Sequence, residues 1–126
     1  MADTVQHAVV WAELPVTDMT KARAFYEEVL QCRMHLEENG PNPILMFPTN
    51  DEISGVAGHL YPGKPSPGAG PTVHLAVPDT VEKAAARVTA AGGTSLPGVI
   101  EIPAGRFGYA TDPDGNSIGL FQMTAG

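Results

Sequence analysis

The sequence predicts an α+β fold of two βαβββ modules, related by a pseudo-twofold and together forming a cupped mixed sheet. Three observations predict it. The chain repeats itself about 62 residues apart, each half opens on a strand followed by an Asp and a helical pattern, and a proline- and glycine-rich stretch separates the halves. Glu13-Leu14-Pro15-Val16-Thr17-Asp18 opens the first half and His74-Leu75-Ala76-Val77-Pro78-Asp79 the second. At the far end of each, Thr49 to Tyr61 lies over Thr111 to Met123 without a gap, so that Val56 falls on Ile118 and Leu60 on Gln122. Two similar modules whose sheets face each other leave a crevice, and ligands tend to sit in such a crevice.

The elements follow in order. His7 to Val16 is rich in β-branched and apolar residues and reads as a strand, and Asp18 is a good N-cap for a helix behind it. From Ala22 the apolar residues Ala22, Phe25, Tyr26, Val29 and Leu30 recur at helical spacing, with Lys21, Arg23, Glu27 and Glu28 on the outer face. Short strands are expected around Arg33 to Glu37, Ile44 to Pro48 and Gly55 to Tyr61, separated by turns at Asn39-Gly40-Pro41 and Asn50-Asp51. Pro62 to Pro71 holds four prolines and three glycines, a composition that resists regular structure and suits a connector. The first module is therefore placed at 1–61, the connector at 62–71 and the second module at 72–126, all within one compact domain. In the second module Val73 to Val77 is a strand capped by Asp79, and Val81, Ala84, Ala85 and Val88 line a helix face before Gly92-Gly93 ends it. Strands follow near Val99 to Ile102, Phe107 to Thr111 and Ser117 to Met123. Between the last two, Asp112-Pro113-Asp114-Gly115 is read as a connecting turn.

Composition narrows the function. At 126 residues with 43% hydrophobic residues, the chain can bury one core. Fourteen acidic residues against seven basic ones give a formal charge of -7, which repels phosphate backbones and anionic membranes, so neither nucleic acid nor membrane is an expected partner. The single cysteine, Cys32, cannot form an internal disulfide, and the polar start Met1-Ala2-Asp3-Thr4 lacks the basic and apolar regions of a signal peptide. No apolar run approaches the roughly 20 residues that span a bilayer. A cytoplasmic protein is expected. So is a homodimer, because a second copy can cover the apolar edges of so short a chain.

The two βαβββ modules, the strand-Asp-helix openings with Phe25-Tyr26 in the first helix, and the Asp112-Pro113-Asp114-Gly115-Asn116 turn resemble the vicinal-oxygen-chelate superfamily. That superfamily contains glyoxalase I, bleomycin-resistance proteins, fosfomycin-resistance enzymes and extradiol dioxygenases. Trp11-Ala12-Glu13-Leu14-Pro15-Val16 and Gly105-Arg106-Phe107 resemble its glyoxalase-like branch. The resemblance implies metal ligands on the first and last strand of each module, and carried over it places those positions at Trp11, Ala57, Thr72 and Gly119. None of the four is a good divalent-metal ligand: Ala and Gly carry no donor, indole nitrogen only donates, and a lone hydroxyl is weak. No cofactor and no metal ligand are therefore expected there.

Two residues along the same strands the chemistry changes, since alternate residues share a face. Glu13, His59, His74 and Phe121 come next, three of them ionisable. The leading reading is a small metal-independent enzyme that binds a small, partly apolar molecule, with Glu13 and His74 as acid and base across the cleft. Trp11, His59, Arg106 and Phe121 are the candidate substrate contacts: Trp11 as an apolar wall, Arg106 as a fork for an anionic group. One rival is a protein that sequesters a drug or metabolite in the manner of bleomycin-resistance proteins, with Trp11 and Phe121 stacking on it. The other is a metal-dependent lyase or dioxygenase with a displaced site at Glu13, His59 and His74. His7 and His35 receive no role, and Cys32 reads as a small core residue.

Overall fold

The computed structural model describes residues 11–38, 40, 42–49 and 56–124. The first module runs β1 (Trp11–Val16), α1 (Met19–Leu30), β2 (His35–Glu37), β3 (Ile44–Met46) and β4 (Ala57–Pro62). The second runs β5 (Val73–Ala76), α2 (Val81–Ala90), β6 (Thr94–Ser95), β7 (Ile100–Ile102), β8 (Gly105–Thr111) and β9 (Ser117–Met123). The fold is α+β, with two mixed sheets in the orders β1-β4-β3-β2 and β5-β9-β8-β6, β7 also pairing with β8. In each module the first strand runs parallel to the last. Residues 7–10 of the expected first strand, Gly55 of the fourth, Asn39 and Pro41 of one expected turn and the whole of the Asn50-Asp51 turn lie outside the described residues.

The second module keeps the βαβββ plan with its second strand broken. β6 and β7 both run antiparallel to β8, against Ala110–Thr111 and Gly105–Phe107 respectively. Between them Pro97 cannot donate to the ladder and Gly98 takes a φ of 102°, so the strand bulges there. The apolar pattern predicts β7 but not the two-residue β6, which is too short to show alternation.

Helix α1 starts where Asp18 accepts a hydrogen bond from the Lys21 backbone N–H at 3.0 Å, and it buries Ala22, Phe25, Tyr26 and Val29. It stops at Gln31, whose φ of 52° is left-handed. For α2 the sequence expectation needs correction. Thr80, not Asp79, is the N-cap and accepts from the Lys83 N–H at 3.2 Å. Asp79 instead takes both arms of Arg87, at 2.8 and 2.9 Å. The hydrogen bonds from Arg87 hold the Asp79 carboxyl below its ordinary value. Arg87 also donates to the Val29 carbonyl at 3.1 Å, tying α2 to α1.

Both modules feed one hydrophobic core. Leu14, Val16, Phe25, Tyr26 and Val29 pack in the same cluster as Val77, Ala84, Val88, Ile118 and Leu120, each large apolar side chain contributing about 1.5–3 kcal/mol on burial. Gly93 is part of this fit: a Cβ there would meet the Phe25 ring at 3.0 Å and the Thr111 carbonyl at 2.5 Å.

The Asp112 turn does more than connect β8 to β9. Asp112, only 3% exposed, accepts from the Tyr26 hydroxyl at 2.7 Å and from the backbone N–H groups of Asp114 and Asn116 at 2.9 Å. Asn116 donates to the Pro15 carbonyl at 2.8 Å, and Asp114 accepts from the Thr17 hydroxyl at 2.6 Å. A turn of the second module thus clasps the first strand and first helix of the first. Burial, and then the Asp112 carboxylate, push the Tyr26 phenol well above its usual range, so it stays a donor. Among the described residues, no helix is long and apolar enough to cross a membrane.

Candidate functional site: a cleft along the two first strands

Alternation along β1 decides which side chains reach the open face. Leu14 and Val16 are buried, while Trp11 and Glu13 are exposed. The parallel register then sets Trp11 beside Ala57 and Glu13 beside His59. Trp11 Nε1–H donates to His59 Nδ1 at 2.9 Å, and His59 Nε2 lies 3.1 Å from Glu13 Oε1. Indole nitrogen can only donate, so Nδ1 is the acceptor and the ring proton sits on Nε2, facing the carboxylate. The His59 side chain is 13% exposed and that of Glu13 65%.

In the second module the register is different. His74 lies level with Gly119, and Ala76 with Phe121. The His74 ring crosses directly over Gly119, where any Cβ would collide with it. Its neighbours are rings: Phe107 at 5.1 Å, Tyr109 at 5.9 Å and Phe121 at 6.0 Å between centroids, all edge-on. Phe107 and Phe121 stack at 5.8 Å with planes 7° apart. Phe107 and Tyr109 alternate along β8 and so share this face. Together the four form an aromatic platform.

A cleft of about 820 Å3 runs along β1 and β5, lined among others by Trp11, Glu13, Ala57, Thr72, Val73 and His74. A smaller hollow of about 270 Å3 adjoins Glu13 on the first module, lined by Glu37, Asn42, Ile44, His59 and Tyr61.

Residues 5–120 match the sequence pattern of the Glyoxalase/Bleomycin resistance protein/Dioxygenase superfamily. The chain belongs to this superfamily. No curated protein sequence matches it. Among solved structures, a glyoxalase/bleomycin resistance protein from Albidiferax ferrireducens superposes with a TM-score of 0.70 at 19% identity, over 94% of this chain and 100% of that one. An antibiotic binding protein from a Streptomyces species superposes with a TM-score of 0.58 at 27% identity, over 95% and 98%. A glyoxalase I mutant from Zea mays gives a TM-score of 0.65 at 26% identity, over 90% of this chain and 46% of that one.

In this glyoxalase-superfamily chain the expected Glu13–His74 pair is corrected. Both residues line the cleft, but Glu13 is paired with His59 and His74 with rings. Each first strand bonds to its own module's last strand rather than to the other first strand, so the strand register gives Glu13 a partner on β4, not on β5. The ligand position expected at Thr72 is corrected too: Thr72 sits at Ser117, hydroxyl to hydroxyl at 2.6 Å, and His74 stands level with Gly119. A divalent metal would find one donor, His74, among Trp11, Ala57, His74 and Gly119, which does not fit such an ion. The displaced Glu13/His59/His74 alternative is not assembled either, as no group of three such donors comes together among the described residues.

Arg106 is on the wrong face for the cleft. On β8 it shares its side with Gly108 and Ala110, toward α2, where its guanidinium holds Glu82 at 2.7 and 3.0 Å and Glu101 at 3.3 Å. Cys32 lines the cleft, but burial pushes its thiol up, away from the reactive thiolate. Sequence reading missed Phe107 and Tyr109. Their signal was the i, i+2 spacing of aromatics in one strand, which only the location of His74 turns into a platform.

Proposed function

We propose that this chain binds a planar, largely apolar small molecule in the cleft along β1 and β5, between Trp11 and His74, whose ring is backed by Phe107, Tyr109 and Phe121, and holds it unchanged. The observation that carries this reading is that one exposed ring from each module, Trp11 and His74, lines the same cleft. Aromatic walls with few polar groups suit stacking on a flat ligand. The ionisable groups favour binding over turnover. Both His59 nitrogens are engaged within the chain, and His74 lies among rings. The likeness to an antibiotic binding protein at 27% identity supports the same direction. No metal or cofactor is needed to hold such a ligand, and we take the working unit to be a homodimer, to be checked by light scattering.

The test is incubation with a panel of planar polycyclic compounds, with affinity read by calorimetry and the recovered compound by mass spectrometry. Tight binding with unchanged compound is the expected result. Conversion of a bound compound would favour a second reading, an acid/base enzyme built on the hydrogen-bonded Glu13–His59 pair at 3.1 Å. In that case Glu13→Gln should abolish turnover and leave affinity within a few fold.

A further inference from the structure

We infer that His59 is a positioning residue: locked by Glu13 as the Nε2–H tautomer, it fixes the indole of Trp11 as a flat wall of the cleft and so sets which ligands fit. The inference rests on the cleft reading above and adds to it a device that controls the wall.

Three observations carry it. The first is the polarity of the hydrogen-bond chain. Trp11 can only donate, so it is held solely while His59 Nδ1 carries no proton. The Glu13 carboxylate at 3.1 Å from Nε2 favours that tautomer, because Nε2–H is then its donor. The second is ring geometry. The Trp11 and His59 rings lie 5.9 Å apart at 52°, so they do not stack. The N–H edge of the indole is tethered instead, and with Trp11 41% exposed its flat surface is left for a ligand. The third is burial. His59 is the least exposed of the three and is braced on its other side by Tyr61, at 6.2 Å and 75°. It is the fixed post, and Trp11 is the panel mounted on it. The only polar atom of the indole is occupied by this bond, so the wall recognises shape and π-surface rather than a hydrogen-bond acceptor.

Trp11 is the sole tryptophan, so emission excited beyond the absorption of the three tyrosines reports this wall alone. The experiment compares wild type, His59→Leu, His59→Gln, Glu13→Leu and Trp11→Leu for emission wavelength, acrylamide quenching, and affinity for acridone, a neutral planar tricycle followed by anisotropy of its own fluorescence. In His59→Leu the emission should shift and quenching should rise, with acridone affinity down about five- to tenfold, the size of one lost hydrogen bond and one misplaced aromatic contact. His59→Gln, which keeps one acceptor and one donor, should recover affinity to within about twofold of wild type. Glu13→Leu, at an exposed position that does not threaten folding, should move the emission in the same direction and keeps the test open if His59→Leu does not fold.

Unchanged emission and quenching in both His59→Leu and Glu13→Leu would overturn the inference. If Trp11→Leu loses acridone while the His59 variants keep it, the positioning role falls and the cleft reading stands. If Trp11→Leu binds acridone as wild type does, the cleft reading falls, and the inference falls with it as a control on ligand fit. Should wild type fail to bind acridone, emission and quenching decide the orientation claim by themselves.

Discussion

His59 and His74 stand on the open faces of two modules with the same plan, yet their surroundings share almost nothing. His59 on β4 is wired by both nitrogens, to Trp11 and to Glu13. His74 on β5 is packed edge-on among Phe107, Tyr109 and Phe121, over a glycine. The difference originates in register. In the first module the residue level with Trp11 is Ala57 and the one level with Glu13 is His59. In the second module His74 is level with Gly119, where the absent Cβ opens space for a ring. A two-residue displacement keeps every side chain on its face and changes every neighbour. One module consequently presents a polar, oriented wall, and the other an aromatic floor.

The comparison holds only while the modules are joined, and the largest expected effect lies in the joint. Asp112→Ala removes the acceptor of the Tyr26 hydroxyl and of two backbone N–H groups and should cost about 3 kcal/mol in urea denaturation. A loss below about 1 kcal/mol would mean that core packing alone joins the modules.

Next comes the floor. Gly119→Ala forces His74 off its site and should cost about 1–2 kcal/mol, with the His74 ring resonances shifted in NMR spectra and those of His59 unmoved. Movement of both would show that the two faces are coupled, contrary to the comparison. Phe121→Leu opens the stacked pair at the floor and should weaken acridone binding by about fivefold while leaving Trp11 emission unchanged, whereas Glu13→Leu should move that emission.

The smallest effect is on the far face of β8. The bond from Arg106 brings the Glu82 carboxyl from 4.5 down to about 2. A carboxyl lowered in the folded state contributes stability above its unfolded pKa, and that contribution is lost as pH falls from about 4.5 through about 2. Arg106→Leu should flatten this acid slope in denaturation curves. Because Glu82 is open to solvent the change is slight, and acridone affinity should not move. A fall in affinity would return Arg106 to the cleft and break the face assignment.

Much of the fold was legible without coordinates. The Asp18 cap, the Ala22-Phe25-Tyr26-Val29 stripe, the Val81-Ala84-Val88 stripe and the strands of β8 and β9 all appear where the pattern placed them. The site was less legible. Equal repeat position sets Glu13 against His74 in the sequence, whereas the parallel register of β1 on β4 gives Glu13 the partner His59. Alternation along β8 puts Arg106 and Phe107 on opposite faces, and Arg106 turns to Glu82 rather than to the cleft.

By itself, then, the sequence determined what is decided over a few neighbouring residues. Caps, helix stripes, turns and strand alternation depend on local hydrogen bonds and on the periods of 3.6 and 2. The tertiary structure alone decided the register of β1 on β4 and of β5 on β9, the closing of the Asp112 turn on Tyr26 and Pro15, and hence the partner of each histidine. Slipping a strand by two residues leaves its hydrophobic pattern intact, so only packing between distant segments can distinguish one register from the next.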